Sequence, residues 1–278
     1  MRLLDRLRVL FPDSSGRARK RWLEAGRVRV NGQVIREAVV ELQATDRVEL
    51  TAPTPTFPVS LRLVHEDDDL IVIDKPPGLL SIATAQERLR TAYRMLCEYL
   101  AARSGRGSAR RERVFVVHRL DRDTSGLLCF ARSVAAKRAL QGQFAARAVR
   151  RVYVAVVEGS VRADAGVLED RLVEDRGLRV RPTDDRRRGK EAITRYRVLE
   201  RRRSTTVVEL VLVTGRRGQI RAQLAHAGHP IVGDRGHGSA RDPLRRLCLH
   251  ATRLGFRHPR GGMMDLVSSP PEGFRRVR

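Results

Sequence analysis

The chain has 278 residues, 41% of them apolar, which is enough for a buried core and for one or two domains. Lys and Arg number 56 against 32 Asp and Glu, and the net charge of +24 makes nucleic acid the leading partner class through long-range attraction and counterion release. No apolar run reaches the ~18 residues of a membrane span, and charges interrupt the N-terminal MRLLDRLRVLF where a secretory signal would be apolar, so no membrane association is expected. Only four of the 56 basic residues are Lys, an Arg bias that a biased genome produces by itself, but that bias does not create 24 unmatched charges. The three cysteines, Cys97, Cys129 and Cys248, are widely spaced and outside any CxxC pair, which argues against disulfides and Cys-based zinc and fits a reducing cytoplasm. No P-loop, GxGxxG or HExxH motif occurs, so NTP hydrolysis and dinucleotide redox chemistry are poor readings.

In chain order, Leu3, Leu7 and Leu10 recur at helical spacing and predict an amphipathic helix that ends before Pro12. Asp13, Ser14 or Ser15 can cap a second helix carrying Arg17, Lys20 and Arg21 on one side and Trp22-Leu23 toward a core. RVRVNGQVIR then places Asn31-Gly32 between apolar residues, a strong hairpin signal because a type I′ turn needs positive φ at both positions. Arg47–Leu50 supplies a last strand. Residues 1–51 hold 11 basic and 7 acidic residues, with the positive charge in the second helix and the hairpin, where Arg29 stands. Two short helices and a V-x-V-N-G turn resemble the RNA-binding domain named after small-subunit ribosomal protein four, which implies RNA contacts by Arg17, Lys20, Arg21 and Arg29. The bland alternative is a helix–hairpin cap with a solvated basic face.

Pro53, Pro55 and Pro58 predict an extended linker over 52–59, followed by a second domain over 60–278. Strand candidates there are Leu70–Ile73, Val114–Val117, Leu127–Ala131, Tyr153–Val157 and Val207–Val213, with helical periodicity over Thr91–Ala102 and Ser133–Ala148. This mixture lacks a regular βαβ alternation and predicts an α+β domain with a mixed, largely antiparallel sheet. Arg103–Arg113 reads as a basic loop, over the substrate or merely solvated.

The densest polar cluster is HRLDRDTSGLL, His118–Leu128, between two apolar runs, a strand–turn–strand arrangement that holds side chains at a sheet end. Asp121 and Asp123 lie there among Arg119 and Arg122. Cations beside a carboxylate favour its charged form, and an ionised, partly desolvated carboxylate acts as nucleophile or base. On residue types alone, a surface salt-bridge mesh is the commoner outcome.

The exact string resembles the H-R-L-D-x-x-T-S-G-L-L signature of RluA-type pseudouridine synthases. Four further blocks follow that family's order: DLIVIDKPPGL (Asp69–Leu79), Arg151–Ala155 with Val157–Gly159, TGRRGQIRAQLAHAGHPIVGD (Thr214–Asp234), and Leu249–Ala251 with Phe256, His258 and Pro259. The resemblance implies an isomerase that breaks the uridine glycosidic bond at nitrogen, turns the uracil and rejoins it through carbon, with no cofactor and no metal. It implies Asp121 as the essential carboxylate, attacking the anomeric carbon or removing a sugar proton, Arg221 as its ion-pair partner, and Tyr153 stacked on the uracil. Arg119 would fill the space left by an everted base, and Thr124, Arg216 and Ile220 would line the substrate site. Asp123 falls on an unspecified position of the pattern and is left out of the catalytic set.

One block departs from the family. Arg217-Gly218 and Ala222-Gln223 stand where T-H and V-H are usual, which puts RNA contacts in question more than chemistry. The histidines offer no zinc site: His226, His229, His237 and Cys248-x-His250 lack metal-type spacing. The resulting expectation is a monomeric, cytoplasmic RNA pseudouridine synthase acting on structured RNA, with large-subunit rRNA ahead of tRNA. A catalytically silent ribosome-assembly factor of the same fold is the alternative. A DNA-binding regulator would need a helix-turn-helix reader that is absent from the pattern.

Overall fold

The computed structural model describes residues 1–51, 57–103, 113–175, 177 and 179–277. The centre of the proline-rich stretch and most of the Arg103–Arg113 loop lie outside these residues. The chain divides into two compact units, Met1–Thr56 with Tyr99–Arg111, and Phe57–Glu98 with Glu112–Arg278.

In the first unit, helices α1 (Leu3–Leu10) and α2 (Gly16–Glu24) precede three short strands, β1 (Val28–Val30), β2 (Gln33–Ile35) and β3 (Val48–Leu50). Ser15 is the cap of α2, its hydroxyl accepting from the Ala18 amide at 3.2 Å. Asn31 and Gly32 adopt φ of 51° and 83°, the two positive values that the hairpin turn requires. Strand β1 pairs antiparallel with both β2 and β3. Leu3, Leu7, Leu23, Val28, Val30 and Leu42 form the core, and Trp22 packs edge-on to Phe11 beside it. Arg17, Lys20, Arg21 and Arg29 remain exposed.

The second unit is α+β. Its strands are β4 (Arg62–Glu66), β5 (Leu70–Lys75), β6 (Phe115–Val116), β7 (Ser125–Ala131), β8 (Arg150–Glu158), β9 (Ala165–Glu174), β10 (Val180–Pro182), β11 (Lys190–Arg201), β12 (Thr205–Leu212), β13 (Leu249–Arg257) and β14 (Met263–Val267). They build one sheet in the order β10-β9-β11-β12-β8-β13-β7-β5-β4, with β14 on β13 and β6 on β7. Every pairing is antiparallel except β13 with β7, so the expected mixed, largely antiparallel sheet is present. Helices α3 (Ala92–Arg103), of which residues up to Glu98 belong to this unit, α4 (Val134–Ala145), α5 (Gln219–His226) and α6 (Gly273–Arg276) complete it, with Ser133 capping α4. The central strands β5, β7 and β8 are near-continuous apolar runs because both faces are covered.

The parallel contact joins the start of β7 to the start of β13, pairing His250 with Ser125 and Ala251 with Gly126. A polar chain fixes it from below. Arg246 donates to Ser125 at 2.7 Å, Ser125 meets His250 Nδ1 at 2.8 Å, and His250 Nε2 lies 3.2 Å from the Ser268 hydroxyl, which donates to Asp74 at 2.6 Å.

A unit of some fifty residues buries little apolar surface, so each core side chain carries a large share of its stability. Leu7→Ala is expected to cost about 3 kcal/mol. Hydrogen exchange should then show lost protection in α1, α2 and β1, with β5 and β7 unchanged.

Candidate active site

A cleft of about 480 Å³ opens in the second unit, lined by Arg119, Asp121 and Thr124 from the loop before β7, Tyr153 and Arg151 from β8, Leu249 from β13, and the Thr214–Arg221 segment. Strand β13 lies between β7 and β8, so Asp121, in the loop that enters β7, and Tyr153, on β8, face the cleft from segments that are not neighbours in the sheet. The structure therefore gathers Asp121, Tyr153, Arg221, Arg119, Thr124, Arg216 and Ile220 in one place. Arg17, Lys20, Arg21 and Arg29 belong to the first unit.

The loop that carries Asp121 is held at both flanks. The Ser81 hydroxyl donates to the Leu120 carbonyl at 2.7 Å and accepts from the Leu120 amide at 3.0 Å. On the other side the fully buried Lys75 ammonium donates to the carbonyls of Pro76, Leu79 and Arg122 at 2.7, 2.7 and 2.8 Å. Three carbonyl acceptors use all three protons of an ammonium. Burial pulls the Lys75 pKa down to about 7, although the Asp123 and Asp121 carboxylates act in the opposite direction. At the loop's entrance His118 Nε2 accepts from the Cys129 amide at 3.0 Å, and its ring stacks on Phe144.

Arg221 is held twice by one carboxylate. Its Nε and Nη2 donate to Asp234 at 2.7 Å each, and its Nη1 stands 3.9 Å from Asp121. The ion pair anticipated from the sequence is thus the looser of two, and Asp234 is the residue that sequence reasoning did not single out. Its signal was present as the final acid of the G-H-P-I-x-G-D block. Burial opposes the charge on both partners, but the fork of hydrogen bonds outweighs it: the Arg221 pKa is raised, and Asp234 is held down at about 2. Tyr153 is buried, and burial pushes its hydroxyl up to about 12 against the opposing pull of Arg151, so it remains a proton donor over the working range.

Gln219 folds the preceding turn against α5. Its side-chain oxygen accepts from the Thr214 hydroxyl at 2.8 Å and the Arg216 amide at 2.9 Å, while its amide donates to the Ile193 carbonyl and Thr194 hydroxyl. This places Arg216 and Ile220 at the cleft.

Among known families, residues 69–226 match the RNA pseudouridylate synthase model and residues 1–48 match the S4 domain. The chain belongs to the RNA pseudouridylate synthase family. It is 37% identical over 298 residues to the ribosomal large subunit pseudouridine synthase D of Xanthomonas campestris, covering 98% of this chain and 86% of that one. It is 35% identical over 250 residues to an uncharacterized RNA pseudouridine synthase of Bacillus subtilis, covering 87% and 81%. Among solved structures, human RNA pseudouridylate synthase domain containing 4 superposes with a TM-score of 0.61 at 25% identity over 77% of this chain and 90% of that one. The chain is accordingly an isomerase acting on RNA.

The departures from the family pattern divide between two surroundings in this synthase. Arg217 and Gly218 line the cleft, Arg217 paired with Glu174 and Gly218 in the left-handed region at the start of α5. Ala222 and Gln223 instead face the sheet. Ala222 packs with Leu172, Val180 and Ala192, and the buried Gln223 amide donates to the Leu168 and Ala192 carbonyls while its oxygen accepts from Thr194. The second departure therefore anchors α5 rather than changing an RNA contact. Each histidine of the zinc-type pattern has its own partner: His226 on Asp170, His229 on the Glu158 carbonyl, His237 on Asp234 and His250 on Ser125. Among the described residues one His/carboxylate group, Asp67, Asp69 and His258, has donor atoms within 4.8 Å of one another, with His65 on Asp67 and Arg260 on Asp69. It stands apart from the cleft lining.

Removing the negative charge opposite Arg221 tests the positioning role of Asp234. Asp234→Asn is expected to lower the turnover of bound RNA roughly 30-fold while RNA affinity moves less than threefold, as single-turnover kinetics would show. A second expectation concerns acid. Burial, with Arg151 nearby, lowers the His118 pKa to about 3, so between pH 6.5 and 3 the unfolded chain binds a proton that the folded chain refuses. Stability therefore falls as pH drops through that window, by about 1–2 kcal/mol between pH 7 and 5, and His118→Gln removes this component in urea titrations.

Proposed function

We propose that this pseudouridine synthase isomerises uridines of large-subunit rRNA, with Asp121 acting on the sugar of a uridine everted into the cleft. The single observation that carries the reading is the meeting of Asp121, Tyr153 and the Asp234-braced Arg221 in one basic cleft. The name of the Xanthomonas campestris relative, which matches this chain almost end to end, supports rRNA ahead of tRNA.

A carboxylate at position 121 can attack the anomeric carbon or remove a sugar proton, and both courses need the oxygen free and negative. The loop clamps at Leu120 and Arg122 hold the backbone on either side, so the backbone that carries the carboxylate is positioned before substrate arrives. Arg221 offers a positive charge at 3.9 Å without a short bond that would bind the carboxylate's lone pairs. Tyr153 presents an aromatic face to the uracil and a hydroxyl that stays protonated. Arg119, exposed at the cleft, is a planar cation suited to occupy the vacated place in the RNA and to contact phosphate, offsetting the few kcal/mol lost on unstacking.

The reading assigns RNA docking to residues 1–51, through Arg17, Lys20, Arg21 and Arg29, and chemistry to residues 60–278. The reading takes the protein as a monomer that works without metal or cofactor. An rRNA substrate and three unpaired cysteines favour the cytoplasm as its place of work. Asp121→Asn is expected to abolish conversion while RNA affinity stays within about twofold. Chemical mapping of pseudouridine in total RNA from cells with the wild-type gene, with no gene, or with the variant checks both activity and address. A pseudouridine lost from tRNA but not from rRNA would redirect the substrate, and wild-type conversion by Asp121→Asn would remove Asp121 from the chemistry.

A further inference from the structure

Arg151 takes no part in the mechanism above, yet it lies two residues before Tyr153 on β8 and lines the same cleft. Successive side chains on a strand alternate faces, so residues 151 and 153 point the same way. Its surroundings are unusual for a charge. Among the described residues it forms no ion pair and one hydrogen bond, from Nη2 to the Thr214 carbonyl at 3.2 Å, and its Nε is buried without any partner. The guanidinium rests over the Phe144 ring at 5.8 Å from the centroid. It also presses on backbone: a Cβ placed on Gly215 would lie 2.3 Å from Arg151 Nη1. The seat is therefore shaped by a ring on one side and a bare glycine on the other.

Of the other cleft arginines, Arg221 is paired with Asp234, Arg217 with Glu174 and Arg147 with Glu191. Arg119 and Arg216 are exposed to solvent, so Arg151 is the cleft arginine that is half-buried and without an ion pair among the described residues. A half-buried cation without a counterion is costly to the folded protein, and burial already lowers the Arg151 pKa. The N–H groups left unused on Nη1 and Nη2 are donors that a phosphate diester can accept.

We propose that Arg151 is an RNA-phosphate-binding residue of the cleft, its unpaired guanidinium seated between Phe144 and Gly215 to hold a backbone phosphate beside the everted nucleotide. This rests on the functional reading above for the presence of RNA in the cleft. A bound phosphate there would restrict where the target's sugar can sit against Asp121, since only the P–O and O–C bonds separate the phosphorus from the ribose. It would contribute to substrate registration and not to bond-making.

The test uses the full-length protein with two transcripts, one of large-subunit rRNA and one of tRNA, and measures binding against salt together with single-turnover conversion. For Arg151→Gln the log–log salt slope is expected to shrink by about 0.7–0.9, one phosphate contact, and the half-saturating RNA concentration to rise roughly tenfold. Arg151→Lys keeps a point charge and should retain the slope while losing part of the affinity. Gly215→Ala leaves the guanidinium in the chain but drives it from its seat, and should reproduce the loss. A folded Arg151→Gln with wild-type slope and half-saturation on both transcripts overturns the proposal. Should that variant fail to melt cooperatively, the Lys and Ala variants decide: a wild-type slope in Gly215→Ala overturns it, and a retained slope in Lys with a lost slope in Ala upholds it. Wild-type protein that converts tRNA and not rRNA sinks the rRNA reading alone and leaves the Arg151 comparison intact.

Discussion

The bidentate contact of Asp234 with Arg221 fixes a guanidinium that would otherwise choose its own partner. With Nε and Nη2 committed to a buried carboxylate at 2.7 Å, Arg221 can offer Asp121 only Nη1, at 3.9 Å. The result is attraction without capture. A direct fork between Arg221 and Asp121 would occupy the lone pairs that the proposed reaction needs. The second acid thus takes the short hydrogen bonds of the guanidinium and leaves the oxygens of the first one uncaptured.

The same economy governs the loop around Asp121. Neither Ser81 nor Lys75 hydrogen-bonds the Asp121 side chain, yet together they claim the backbone groups of Leu120 and Arg122. Fully burying an ammonium is expensive, and three well-placed carbonyls offset the cost. A charge invested under the loop gives rigidity where a flexible turn would let the carboxylate wander. Gln219 does the equivalent work for the facing segment, so both walls of the cleft are stiffened by buried polar side chains that form no part of its surface chemistry.

Much of this was legible in the sequence. The Asn31-Gly32 turn and the apolar runs of β5, β7 and β8 could be read directly, because turn chemistry and double-sided burial leave clear marks, whereas the sequence narrows the cap of α2 only to Asp13, Ser14 or Ser15 and the structure places it at Ser15. Strands β9 and β11 could not. Their residues alternate between partly buried and exposed positions, with Arg and Glu in place of a continuous apolar run, so neither gives a strong strand pattern. Helix α5 was masked for a similar reason: two of its buried positions are glutamines, Gln219 and Gln223, which break the apolar periodicity they help to anchor. Within the site, motif order identified Asp121, Tyr153 and Arg221 as candidates, but the role of Asp234 depends on a contact across 13 residues that no local pattern displays.

The strand order carries one last consequence. Strand β13 separates β7 from β8 and supplies Leu249 to the cleft lining, so β7 and β8 stand two strand spacings apart, about 10 Å. A substitution that disturbs β13, for instance at the register shift between Ala251 and Arg253, would change the width of the cleft without touching its polar groups.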